Sequence, residues 1–170
     1  MAKKQPKQLE DLFEDALKDI YLAEKKILAA LPKMAKAAQN ADLQAAFEKH
    51  EAETEEQISR LEQVFKIIGK DAKGKNCPAI VGIIEEGQEI MKEYKGSPAL
   101  DAGLVSAAQA VEHYEICRYG TLSTWAKELG KDGAVELLEQ TLSEEKDTDE
   151  ALSELAEAVV NQEAQREAAE

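Results

Sequence analysis

The sequence predicts an all-α chain folded as an antiparallel helical bundle, on three observations. Its 170 residues are rich in Ala, Glu, Leu and Lys and include only four Pro and nine Gly. β-Branched or aromatic runs at period two are absent. Apolar residues instead recur at the three- and four-residue spacing of one helix face. A chain of this length buries a sizeable core without disulfide staples, so residues 1–170 are expected to form one domain, with an ordered core over about 8–160 and a polar tail over 161–170.

After a disordered start, Leu9, Phe13, Ala16, Ile20, Ile27, Leu31, Met34 and Ala38 predict a first long helix over about 8–39. Pro32 lies inside it and removes an interior hydrogen bond, so a kink or local break is expected there. "QNAD" reads as a turn with Asn40 or Asp42 capping the second helix, whose stripe is Leu43, Phe47, Ile58, Leu61, Phe65 and Ile68 and whose stop is Gly69. A polar stretch follows, then Pro78 opens a shorter helix, "AIVGIIEEGQEIMKEY", which "KGSP" ends.

The third long helix covers about 99–129 with Leu104, Ala108, Val111, Leu122, Trp125 and Leu129 inward, and Gly130 stops it. The fourth runs over about 132–160 with Ala134, Leu138, Thr141, Leu152, Leu155 and Val159 inward, before a fraying tail. Two hairpins with tight turns are thus separated by a long connection, and the second hairpin is expected to start from the same end as the first. That is a ferritin-like antiparallel four-helix bundle with a long crossover carrying an additional short helix.

A formal charge of -14 disfavours nucleic acid, whose binding needs clustered Lys and Arg, and favours attraction of cations. The basic start "MAKKQPKQ" has no apolar segment behind it and no stretch approaches the length of a membrane span, so a cytoplasmic location away from membranes is expected. Cys77 and Cys117 form no CxxC and read as reduced thiols.

Each long helix interrupts its apolar column with ionisable groups: Glu24 in the first, His50, Glu53 and Gln57 in the second, Glu115 in the third, Glu145 in the fourth. Glu24 lies about 16 residues before the first turn and Glu53 about 12 after it, while Glu115 lies about 16 before the second and Glu145 about 14 after it. At about 1.5 Å per residue, all four fall within a few ångströms of one level. Several carboxylates in an apolar interior are costly unless they hold protons, pair with Lys or Arg, or ligate a cation. Oxygen donors with an imidazole suit iron or manganese, and a bundle core is a documented place for such a centre.

The stretches "DLFEDALKDIYLAEKKIL", "AFEKHEAET", "AIVGIIEEGQE" and "VEHYEICRYGTLSTWAKELG", followed by "LLEQTLSEEKDTDEAL", resemble the YciF-like stress-protein family of ferritin-like bacterial proteins over about residues 8–158. The resemblance implies a four-helix ferritin-like fold, a homodimer and a dimetal centre similar to that of rubrerythrin. The sequence departs from the broader pattern of Glu-x-x-His on the second and fourth long helices, because Glu56 follows Glu53 and Thr148 follows Glu145 at that spacing. Gln57 or Asp149, one residue on, can substitute as an oxygen ligand.

The expected centre therefore holds two iron or manganese ions that react with a small oxidant, peroxide or dioxygen. Glu53 and Glu145 bridge, Glu24 and Glu115 are terminal, Glu112 is a mobile ligand one turn before Glu115, and Asp149 and His50 are further candidates. His50 is a ligand, a donor orienting a carboxylate, or a core histidine; Glu144 competes with Glu145 for the inward position; His113 points away. Tyr21, Tyr114 and Tyr119 lie near the layer, where core packing competes with a bond to a carboxylate. The competing reading is a non-enzymatic helical dimer of the same fold whose buried carboxylates are protonated or paired.

Overall fold

A computed structural model describes residues 6–166, and among them every regular element is helical. The first two helices, α1 (Leu9–Ala37) and α2 (Ala41–Ile67), form a hairpin. The crossover carries α3 (Pro78–Glu93), and α4 (Leu100–Glu128) and α5 (Asp132–Leu155) form the second hairpin. A turn of π-helix (Ala156–Val160) and the short α6 (Asn161–Glu163) extend the last helix.

Local chemistry sets these boundaries. The Asn40 side chain accepts hydrogen bonds from the backbone N–H groups of Asp42 (2.9 Å) and Leu43 (3.1 Å), which makes Asn40 the cap of α2. Gly69 and Gly130 adopt φ of 68° and 65°, and in each case the following N–H bonds back to a carbonyl of the last turn, Lys70 to Phe65 and Lys131 to Ala126, both at 2.9 Å. This Schellman closure needs a left-handed residue that only glycine adopts without strain. α1 continues through Pro32 without interruption, so the expected break is absent.

The second hairpin does not start from the end where the first starts. Asp101, buried at the head of α4, accepts from the backbone N–H groups of Gln39 (2.9 Å) and Asn40 (2.6 Å) in the α1–α2 turn. At the opposite end Lys131, in the α4–α5 turn, pairs with Glu10 at the start of α1 (3.0 Å). α4 therefore begins beside the turn of the first hairpin and runs parallel to α2, because α3 carries the chain back along the bundle. This up-down-down-up order is the ferritin-like one.

The core is formed by the inward stripes of α1, α2, α4 and α5, with Phe13, Leu17, Ile20, Leu43, Leu61, Phe65, Leu104, Leu122 and Leu138 essentially inaccessible. Leu17 takes the place expected for Ala16, and Leu9 sits at the rim. Beyond Leu152 the buried positions are Ala156 and Val160, not Leu155 and Val159. Residues 152, 156 and 160 continue one face at the four-residue spacing. The tail is helical to Glu163, whose Oε2 accepts from Asn40 Nδ2 (3.4 Å), so its first part is ordered; residues 167–170 lie outside those described. α3 lies on α1 and α4 with Ile80 fully buried and Ile83 and Ile84 partly so, which makes this stripe a cover for the bundle. Cys77 and Cys117 are both free thiols.

Candidate metal centre

Midway along the bundle the apolar core is replaced by a layer of polar groups. Glu24 comes from α1, His50, Thr54 and Gln57 from α2, Glu112, Glu115 and Tyr119 from α4, and Thr141, Glu145 and Thr148 from α5, all buried. They share the three- and four-residue spacing of the leucines above and below them, so the apolar flanks of each helix hold them inward.

His50, Glu112, Glu115 and Glu145 each present a ligand atom such that all four atoms lie within 4.8 Å of one another. Both oxygens of Glu115 and of Glu145, one of Glu112 and both ring nitrogens of His50 have no hydrogen-bond partner. His50 Nε2 is 3.3 Å from Glu112 Oε1, close but without hydrogen-bond geometry. Glu24 Oε1 accepts from the Tyr119 hydroxyl, while its Oε2, Gln57 Oε1 and Thr148 Oγ1 are unpartnered. So many orphaned acceptors at one level are costly unless a proton or a cation serves them.

Burial raises all four carboxyls. Desolvation lifts Glu24 to about 7, against the Tyr119 hydrogen bond, and lifts Glu112 to about 8. Glu115 and Glu145 are raised further, by desolvation first and then by the negative charge of the neighbouring carboxylates. His50 moves the other way, lowered to about 4 by desolvation and then by the Lys49 ammonium, so its ring is neutral at physiological pH and free to ligate. Three carboxylates and a neutral imidazole converging on one point fit a divalent iron or manganese ion in number, hardness and spacing.

Two of the expected ligands lie elsewhere. Glu53 is partly exposed and pairs with Lys49 (2.8 Å), because the inward positions of α2 are 50, 54 and 57, and residue 53 stands about 100° round the helix. It is not placed to bridge. Asp149 is turned away for the same reason; its carboxylate takes Gln109 Nε2 (3.1 Å) and His113 Nε2 (3.1 Å), while Thr148 faces in. Glu144 yields the inward position to Glu145 and pairs instead with Arg60 through 2.6 and 2.8 Å contacts.

Arg60 had no part in the sequence reading. Its side chain is 11 % exposed and also donates to Thr141 Oγ1 (2.6 Å), so with Tyr119 it closes the end of the layer nearer the α4–α5 turn. Its only signal was a cation one turn after Gln57 on the same side of α2. Tyr21 bonds Glu62 (2.7 Å), and Tyr114 lies 3.1 Å from Cys77 Sγ; Tyr119 alone of the three reaches the carboxylates.

Fold and layer together define a ferritin-like four-helix bundle with a buried carboxylate–histidine cluster whose ligand atoms lie close enough together that they could hold a metal ion. The chain belongs to the family described as a domain of unknown function, DUF892, whose model matches residues 8–165. It is 44 % identical to Protein YciF of Escherichia coli K12 over 163 residues, covering 95 % of this chain and 98 % of that one. The crystal structure of that E. coli protein, described as a stress protein, superposes with a TM-score of 0.88 over 92 % of this chain and 99 % of that one. YcfI of Rhodopseudomonas palustris is 48 % identical, with a TM-score of 0.85 over 90 % of this chain and 98 % of that one. A Xanthomonas campestris protein at 22 % identity shares the fold, with a TM-score of 0.70 over 91 % of this chain and 94 % of that one. Among the described residues no helix is long and apolar enough to cross a membrane.

Proposed function

We propose that this chain is a cytoplasmic metal-binding stress protein that uses iron or manganese to react with a small oxidant. The observation that carries the reading is the convergence of His50, Glu112, Glu115 and Glu145 with most of their ligand atoms unpartnered. These four would hold the first ion. Glu24, which faces Glu115, offers a second and poorer position, since Thr54, Gln57 and Thr148 bring no charge there. Iron or manganese in this layer supplies one-electron chemistry and an open coordination position for the oxidant.

The chain's own groups do the rest. Glu112, Glu115 and Glu145 release protons as a cation enters, so uptake is linked to pH. Tyr119 holds Glu24 in place by donating to it. Arg60, with Glu144 and Thr141, seals one end of the layer from solvent. Anaerobic titration of metal-free protein with Fe(II) or Mn(II) tests the reading: about one tightly held ion per chain is expected, lost in Glu145→Gln. Folded protein that takes up markedly less refutes it. The chain is also proposed to act as a homodimer, and light scattering that returns the 18.7 kDa of one chain would overturn that.

A second reading is favoured by the uncharged Thr54, Gln57 and Thr148 in the layer. The bundle is then a structural protein whose carboxyls share protons in the pairs Glu24–Glu115 and Glu112–Glu145. The R. palustris relative is provisionally described as a structural protein, which agrees with this. It expects Gln at positions 24, 112, 115 and 145 to raise stability and leave assembly unchanged.

A further inference from the structure

Directly beside His50, Glu112 and Thr148, on the side away from Arg60, the bundle contains an apolar cavity of about 40 Å³ roofed by α3. Apart from these three residues at its floor and Lys33 and Gln88 at its rim, its walls are hydrocarbon and thioether, with Leu31, Met34, Ile84, Met91, Ala108 and Val111 among them. We infer that this cavity is a dioxygen site serving the ligand layer, and that it discriminates against hydrogen peroxide. The inference rests on the metal-binding reading for its purpose and on the cavity alone for its ligand.

Size sets the first bound. One water needs about 10–15 Å³ of such space, and a cavity that takes benzene is nearer 150 Å³. The space therefore admits a diatomic molecule and excludes an organic substrate. Polarity sets the second. A water or a peroxide molecule needs two to four polar partners, and between the rim at Lys33 and Gln88 and the floor, where His50 Nδ1, Glu112 Oε2 and Thr148 Oγ1 stand unpartnered, the walls offer none. Hydrogen peroxide has to shed its hydrogen bonds to pass the hydrocarbon portion, whereas dioxygen has none to shed.

Position sets the third. The opposite end of the layer is closed by the Arg60–Glu144 pair and the Tyr119–Glu24 bond, so the cavity is the side on which the ligand atoms are reached through apolar contacts. α3 fits closely over it, since a Cβ added at Gly87 would stand 3.4 Å from Ala107 and one added at Gly103 would stand 2.6 Å from the Ile90 side chain. The crossover helix thus roofs the cavity, which reaches the surface at a rim beside Lys33 and Gln88.

The test uses the metal-free full chain with methyl-labelled Met, Ile and Val. Under raised dioxygen pressure the methyls of Ile84 and Met91 should relax several-fold faster than the partly buried methyls of Ile58 and Ile68, which lie outside the cavity, and buried Val111 faster than Ile20 and Ile80, and xenon should occupy the same space in crystals. Ala108→Val, which narrows the cavity, should abolish both effects, and Val111→Ile, a milder filling, should reduce them while preserving the fold. Hydrogen peroxide should shift none of these methyls. Equal dioxygen relaxation at Ile58, Ile68, Ile84 and Met91, water contacts to Val111, or peroxide-induced shifts at Val111 and Ile84 would overturn the inference. Xenon in a chain that takes up no metal sinks the metal reading and leaves the gas site standing. Metal uptake with no xenon does the reverse.

Discussion

Removing metal and raising pH should destabilise this bundle, which is the opposite of the usual acid sensitivity of a protein held by ion pairs. Glu24 and Glu112 ionise near 4.5 in the unfolded chain and near 7 and 8 when folded, so both bind protons more tightly in the native state. Their contribution is fully present below pH 4.5 and is lost as pH rises through 7 and 8. At about 1.36 kcal/mol per pH unit, the displacement is worth about 3 kcal/mol for Glu24 and about 5 kcal/mol for Glu112. The two groups are coupled, so their loss between pH 5 and pH 8 is on the order of 5 kcal/mol instead of their sum. His50, lowered from 6.5 to about 4, acts with the opposite sign and returns about 2 kcal/mol over the same range, leaving about 3 kcal/mol. For a chain of this length that lowers the melting temperature by roughly 6–12 °C. The assay is thermal or urea unfolding of EDTA-treated protein across that range, with Glu112→Gln expected to flatten the slope. A stability that stays level or increases toward pH 8 would refute the buried-proton account.

Metal should reverse the trend: Mn(II) at about 100 times its dissociation constant adds about 2.7 kcal/mol, and the increment in melting temperature should be larger at pH 8 than at pH 6 because protons compete for the same oxygens. Equal increments at both pH values would count against ligation by these carboxyls. Glu115→Gln should weaken Mn(II) binding by at least about tenfold, while Glu53→Gln and Asp149→Asn should leave it almost unchanged, as calorimetry can show. Losing the exposed Lys49–Glu53 pair should cost less than about 1 kcal/mol. Asp101→Ala strips two turn N–H groups of their acceptor and should cost about 2–4 kcal/mol in urea unfolding, with no effect on metal affinity.

Much of the fold was legible because helix periodicity and stop signals are local. The stripes through Phe13, Leu43, Leu104 and Leu138, and the glycines at 69 and 130, place four helices to within a few residues. The direction of the second hairpin was not legible, since it depends on Asp101 meeting Gln39 and Asn40, 62 and 61 residues away in sequence. In the layer, Glu24, Glu115 and Glu145 stood out as acids at leucine positions, and Glu112 as the acid one turn before Glu115. On α2 the column passes through Thr54, which carries no charge, and the neighbouring Glu53 drew the eye in its place. One residue is enough to turn a side chain from the interior to the rim. Arg60 escaped because an arginine among charged neighbours reads as surface until its partners Thr141 and Glu144, contributed by another hairpin, are known.

The distribution of the carboxylates over the hairpins also bears on how the chain assembles. Each hairpin closes over a few residues and forms from local contacts, which are fast. Glu24 belongs to one hairpin and Glu112, Glu115 and Glu145 to the other, so three of the acids already meet along α4 and α5, and docking of the halves is what strips water from all four. Docking is therefore the step that obliges these groups to take up protons or a cation.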